Sequence, residues 1–224
     1  MPPWLADRWW DVGKVACFYT MTGLFSLRTA GSQHVPRTGP VLILSNHQTF
    51  FDPVFVGLAV PRYVNWVARQ TLYKNPWLDR LISSLRAIPI DHRGFSREGL
   101  QATLDALERG ACVGMFPEGE RTHTGMLEPF KPGISLLIKR TRAPIAPVGI
   151  AGGYAAWSRH RKLPRCAPLF LPPTDATIAV SVGKPVDPTK YERASREEML
   201  EDLRSLVRVE MEKAEKLRRK RRMS

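Results

Sequence analysis

A chain of 224 residues with 43% hydrophobic content suits one globular domain, alone or with small appendages, and it excludes wholesale disorder. A formal charge of +13 and a pI near 10.2 call for a polyanionic partner, whether phospholipid head groups, phosphorylated substrates or nucleic acid. Cys17, Cys112 and Cys166 are odd in number and form no CxxC pair, so they indicate neither a disulfide framework nor a zinc site and fit a reducing compartment.

The first segment is rich in interface-seeking side chains: Trp4, Leu5, Trp9, Trp10, Phe18, Tyr19, Leu24 and Phe25. Asp7, Arg8 and Asp11 interrupt any signal-peptide pattern, and the apolar run from Val15 to Leu27 falls short of the roughly 20 residues that span a bilayer. Two readings stand: an amphipathic helix lying in the head-group layer, or a helix packed on the domain's own core.

Beyond it, short β-type runs alternate with helical patterns. Val41 to Leu44 reads as a buried strand after the Thr38-Gly39-Pro40 turn, Asp52 to Ala59 as a helix, and Tyr63 to Ala68 as a second strand. Ala87 to Ile90 is a third run, and Pro89 places it at an edge or a bulge. Ser96 can cap a helix whose Leu100, Leu104 and Leu107 share a face and which Gly110 ends. Cys112 to Phe116 reads as a strand, Gly133 to Thr141 as a helix, and Ile145 to Ile150 and Thr177 to Val182 as strands. Residues 152–173 break the alternation; Pro-rich, basic and dotted with Trp157, Leu169, Phe170 and Leu171, they read as a surface excursion. From Ser195 to Lys216 the pattern is helical, with Met199, Leu203, Leu206, Val207 and Met211 as its apolar stripe.

Such alternation implies an α/β domain with a largely parallel sheet flanked by helices. Three segments are expected: a membrane-associating residues 1–35, a main domain over 36–190, and a C-terminal amphipathic helix with a basic tail over 191–224. The positive charge is concentrated. Residues 213–222 carry seven basic residues against one acid, Glu215, and residues 129–174 carry eight basic residues and no acid.

The reactive residues follow strands. Asn46-His47 comes after the first, Asp91-His92-Arg93 after the third, and Pro117-Glu118-Gly119-Glu120-Arg121 after the fourth. Ligands of open α/β sheets gather at the carboxyl ends of strands, so these clusters should converge. If Asp52 begins a helix, it can reach back to the Nδ1–H of His47 and leave Nε2 free as a general base. Taken alone, the spacing is weak evidence, and a core histidine or an aspartate serving only as a helix cap is its usual explanation. A strand ending in Pro-Glu-Gly should expose the Glu118 carboxylate and allow close backbone approach at Gly119, with Arg121 beside it as a phosphate-matched guanidinium. Arg93 and Lys131 add positive charge. No pair of the five histidines has metal-ligand spacing, and no GxSxG elbow points to an acyl-enzyme.

Asn46-His47-Gln48-Thr49-Phe50-Phe51-Asp52 resembles the NHxxxxD signature of the glycerolipid acyltransferases, typified by 1-acylglycerol-3-phosphate acyltransferases. Ile88 to Arg93 is similar to their second block, Phe116 to Thr122 to FPEGTRS, Phe130-Lys131-Pro132-Gly133 to FKxG, and Ala143 to Val148 to the fourth block. Glu120 stands where that family usually has Thr, and Arg69 where Lys is common after the second strand. The segment before the first block is short, so a long N-terminal anchor is expected to be absent or abbreviated.

The resemblance implies a glycerol-3-phosphate acyltransferase-like fold and transfer of a fatty acyl group from acyl-CoA or acyl-ACP to a lysophospholipid hydroxyl, with 1-acylglycerol-3-phosphate the first choice. Glycerol-3-phosphate, another lysophospholipid or an ornithine-type lipid are alternative acceptors. It implies His47 and Asp52 as catalytic, and Arg93, Glu118, Gly119, Arg121, Arg69 and Lys131 as substrate-binding, with no metal and no cofactor beyond the acyl co-substrate. Peripheral or monotopic residence on the cytoplasmic face of an anionic membrane follows, with no nucleic-acid partner. A basic nucleic-acid-binding protein is the reading from a different class; no RNA-recognition motif, zinc spacing or helix-turn-helix supports it.

Overall fold

A computed structural model describes residues 3–69, 87–90 and 96–219, with side chains from residue 12 onward. The chain opens with α1 (Pro3–Phe25) and a short strand β1 (Arg28–Ala30). There follow β2 (Val41–Ser45), α2 (Asp52–Ala59), β3 (Asn65–Arg69), β4 (Ile88–Ile90), α3 (Arg97–Glu108) and β5 (Cys112–Met115). The second half holds α4 (Ile134–Arg140), β6 (Ile145–Ala151), α5 (Gly153–Trp157), β7 (Ala179–Val182) and α6 (Arg196–Arg219).

The strands form one seven-stranded sheet in the order β1-β7-β6-β2-β5-β3-β4. All neighbouring pairs are parallel except β6 with β7. The expected α/β class and largely parallel sheet are therefore what the structure has. β2 lies between β5 and β6 and is buried along its whole length, which is why it reads as an unbroken apolar run. Its pleat sends alternate residues to two cores. Val41 and Ile43 join Phe25, Phe55, Val56, Trp66 and Ile150 on the side of α1 and α2, while Leu42 and Leu44 join Leu100, Leu107, Leu137, Met199 and Leu203 on the side of α3, α4 and α6. Each such buried aliphatic side chain contributes about 1.5–3 kcal/mol.

The edges differ from the centre. Pro89 sits in β4, an edge strand, as a residue without an N–H should. Ser96 caps α3 by accepting from the Gly99 N–H at 3.1 Å. Gly110 (φ +82°) ends that helix, with its N–H on the Leu107 carbonyl and the Ala111 N–H on that of Ala106. Strand limits move from those expected: the second run is Asn65–Arg69 and the last Ala179–Val182.

β1 is a strand that the sequence pattern does not announce, and it falls within the segment assigned to membrane association. There Leu27 and Val35 are buried, and β1 pairs with β7. α1 itself is largely exposed over the residues whose side chains are described, with Phe25 entering the core and the Lys14 ammonium donating to the Val60 carbonyl at 2.8 Å. Among the described residues no helix is long and apolar enough to cross a membrane.

Candidate active site

Because β2, β3, β4, β5 and β6 run in one direction, their carboxyl ends share one edge of the sheet. The segment after β2 is locked there from three sides. The Asn46 side chain donates to the Ile150 carbonyl at 3.0 Å and accepts the Ile150 N–H at 2.7 Å, which ties it to β6. The loop after β5 grips the His47 backbone: its N–H donates to Glu118 Oε1 at 2.6 Å, and its carbonyl accepts the Thr122 N–H at 2.8 Å. The Gln48 side chain spans Gly125 and Tyr154, donating to the carbonyl of the first and accepting the N–H of the second, each at 3.3 Å.

His47 and Asp52 meet. Nδ1 lies 2.8 Å from Asp52 Oδ2, and that same oxygen accepts the backbone N–H groups of Gln48 and Thr49. Asp52 is fully buried and its Oδ1 has no partner among the described residues, where one oxygen takes all three donors. With Nδ1–H directed at the carboxylate, Nε2 is the nitrogen that keeps a lone pair. The imidazole stacks on the Phe116 ring at 3.9 Å between centroids and 14° between planes, and Phe116 stacks in turn on Trp66 of β3 at 5.0 Å. Gly114 opposes Trp66 in the β5–β3 register, where any Cβ would fall 2.8 Å from the indole. The glycine makes room for the stack that orients the histidine.

Glu118 departs from expectation. It is 2% exposed rather than presented at the surface, and its two oxygens are taken by the N–H groups of His47 and Glu128, at 2.6 and 2.8 Å. It braces two backbone segments. Burial pushes its carboxyl up to about 7, against the lowering influence of the two amide bonds. The folded state thus disfavours the anion. Its contribution to stability is fully present below the unfolded value of 4.5 and is lost as pH rises through about 7, amounting to about 3 kcal/mol. Denaturant melts between pH 4.5 and 8 should show that decline, and Glu118→Gln should flatten it. Glutamine cannot accept both amides, so this variant should also lose about 1–3 kcal/mol at low pH.

Gly119 sits at φ +77° with its N–H on the Phe116 carbonyl, closing the turn that a side chain would strain. Arg121, half-buried, directly precedes Thr122, and the Lys131 N–H donates to the Pro117 carbonyl at 2.8 Å, with its side chain exposed. Arg69 is the last residue of β3, and its side chain is not among those described. Arg93 lies outside the described residues. Glu120, at the position where the resemblance has Thr, pairs with Arg159 at 3.3 Å, and Arg159 also donates to the Arg121 carbonyl at 3.2 Å. Those two contacts tie the start of residues 158–173 to the loop after β5, the same loop that binds the His47 backbone through Glu118 and Thr122. Among the described residues no group of three or more His, Cys, Asp or Glu is placed to hold a metal ion.

The sequence model of the Acyltransferase family matches residues 26–151. The chain belongs to the Acyltransferase family. The family match runs from the end of α1 to the end of β6 and contains every site residue named above except Tyr154 and Arg159. Among curated relatives, the 1-acyl-sn-glycerol-3-phosphate acyltransferase of Limnanthes douglasii is 30% identical over 154 residues, covering 66% of this chain and 54% of that protein. The mouse 1-acyl-sn-glycerol-3-phosphate acyltransferase alpha is 30% identical over 153 residues, covering 64% and 53%. The matched regions thus span about half the length of these relatives. The crystal structure of the 1-acyl-sn-glycerophosphate acyltransferase from Thermotoga maritima superposes with a TM-score of 0.66 at 23% identity, over 84% of this chain and 72% of that one, and shares its fold.

Asn46, Gln48, Trp66, Phe116 and Tyr154 hold the site together; Asn46 and Phe116 stand in the motif blocks, but no spacing in the sequence gives the partners that these five side chains bind. Their partners lie far along the chain, as with Asn46 and Ile150, 104 residues apart. Gly114 inside a strand is the one local sign that another group approaches closely.

Proposed function

We propose that this chain transfers a fatty acyl group from a thioester to the hydroxyl of a lysophospholipid, with His47 as general base and Asp52 as the residue that aims it. The observation that carries this reading is the His47–Asp52 bond at the carboxyl edge of the sheet, inside the family match. Nε2 takes the acceptor's hydroxyl proton as its oxygen bonds to the thioester carbonyl carbon. The tetrahedral intermediate then expels the thiolate by breaking the C–S bond. The imidazolium returns the proton to sulfur, giving an ester and a free thiol. Asp52 stabilises the transient cation. No group outside the acceptor and the acyl donor is consumed.

The acceptor favoured is 1-acylglycerol-3-phosphate, giving phosphatidic acid, because the relatives carry that name and Arg121 and Lys131 flank the glycine turn. Donor and acceptor are set by experiment: acyl-CoA and acyl-ACP are each offered with 1-acylglycerol-3-phosphate, glycerol-3-phosphate, a zwitterionic lysophospholipid and a lyso-ornithine lipid, and thiol release is followed. Release dependent on 1-acylglycerol-3-phosphate and absent in His47→Ala is the expected result. Equal release with and without acceptor would discard acyl transfer. Since acceptor and product both partition into bilayers, residence on the cytoplasmic surface of an anionic membrane is part of the same proposal.

A further inference from the structure

Residues 158–173, the first part of the connection between α5 and β7, belong neither to the sheet nor to the family match. Yet they carry the most exposed large apolar side chains among the described residues: Phe170 is 85% and Leu163 78% exposed, with Leu171 half exposed beside them. Three such side chains fall within nine residues, and exposed apolar surface of this kind marks an interaction site. The same stretch holds Arg159, Arg161, Lys162 and Arg165. Arg159 pairs with Glu120 and Arg165 with Asp175, whereas Arg161 and Lys162 are exposed and have no acidic partner among the described residues.

The loop is firmly seated. Its Ala167 and Leu169 N–H groups donate to the carbonyls of Leu24 and Gly23 at the end of α1, at 2.8 and 3.1 Å. Ser26 Oγ returns a bond to the Ala167 carbonyl at 2.8 Å, and Ala167 is buried. These three bonds fasten the loop to the end of α1. α1 brings an exposed stripe of its own, Val12, Val15 and Tyr19 at i, i+3 and i+7, and Leu24 is exposed at the seam. An open cavity of about 390 Å³, lined by Ser26, Arg28, Leu169, Phe170 and Pro173 among others, lies along that seam.

We propose that residues 158–173 are a bilayer-docking loop: Leu163, Phe170 and Leu171 enter the acyl boundary, and Arg161 and Lys162 bind the phosphates of anionic lipids. Apolar tips set beside cations, with no acid between residues 129 and 174, match a negatively charged lipid surface. The loop also begins where lipid would be needed. Trp157, immediately before it, stacks on Phe51 at 5.1 Å, and Phe51 precedes Asp52. This last step rests on the acyl-transfer reading; docking itself does not.

Sedimentation of the full chain with phosphatidylcholine vesicles, with and without phosphatidylglycerol, tests the loop. The wild type should pellet with the anionic vesicles. The double variants Leu163→Glu/Phe170→Glu and Arg161→Glu/Lys162→Glu should each lose at least tenfold in vesicle affinity, and all four positions are exposed, so folding should survive. Thiol release with a short-chain acceptor kept below its micellar concentration should be unchanged in both. Variants that pellet like the wild type would overturn the proposal. So would a wild type that is a lipid-free dimer and becomes monomeric in Leu163→Glu/Phe170→Glu. Failure of the wild type to turn over the soluble acceptor would count against acyl transfer, while the pelleting would still decide the loop.

Discussion

His47→Ala is expected to lower turnover by roughly 10²–10⁴-fold, the usual worth of a positioned general base, while the protein stays folded. Folding should survive because the imidazole is a partly exposed group, 18% by side chain, and Asp52 keeps its two backbone donors when the ring is gone. Asp52→Asn gives a sharper reading. In a Ser-His-Asp triad the corresponding change costs about 10⁴ by imposing the wrong tautomer. Here the loss should be nearer tenfold, the difference between a charged and a neutral hydrogen bond. All three donors converge on Oδ2, and Oδ1 is without a partner among the described residues, so an asparagine can place its oxygen at the crowded position and its amide at the other. Turned the other way, the amide would face two backbone N–H groups. The oriented Nδ1–H is thus retained and the stabilising charge removed. Unpaired amide hydrogens should cost about 1–3 kcal/mol of stability. A loss near 10⁴ would mean that the amide faces His47, and unchanged turnover in His47→Ala would remove the general-base assignment.

Much of this architecture is legible because its signals are local. The β2 run, the Ser96 cap, the Gly110 stop and the edge proline at Pro89 each declare themselves within a few residues, and the structure follows them. The His47–Asp52 contact is legible for the same reason: five residues and a helix start bring the two side chains together. β1 escapes because three residues without alternation give no strand signal; its existence depends on β7, some 150 residues later. Glu118 misleads for a related reason. A turn glycine beside it suggests exposure, but Glu128 and His47 fold over it and bury the carboxylate, and neither contact leaves a trace in spacing. The apolar stripe on α6 holds, with Leu206 and Met211 half-buried against the core, but Glu210 is buried beside it as well, with Ser181 donating to it at 2.6 Å and Lys213 at 2.6 Å. A buried acid on an apolar stripe is unreadable until its hydroxyl and ammonium partners are known.

That burial of Glu210 leads to the largest expected effect on stability. α6 crosses β6 so closely that a Cβ on Gly149 would overlap the backbone of Glu210 and Met211. Backbone cannot swing aside as a flexible side chain can, so Gly149→Ala must push the middle of α6 off the sheet. Met199, Leu203 and Val207 are buried by this helix, and Ala214 packs on Ala151 and Ala179 further along it. Lifting its centre opens voids beside these residues and lengthens the Ser181–Glu210 bond, leaving a buried carboxylate short of a donor. Overpacking of this kind costs about 1–3 kcal/mol and exceeds that where backbone is the obstacle; with the impaired buried bond, a loss of about 4 kcal/mol or more is expected. Chemical denaturation of Gly149→Ala should be set against Gly57→Ala, a helical position with nothing within 4 Å of the added Cβ, as a glycine replacement that meets no obstacle and gains helix propensity. Gly57→Ala should be neutral or slightly stabilising. A Gly149→Ala protein within about 1 kcal/mol of the wild type would mean that α6 does not lie on β6 as closely as the structure places it.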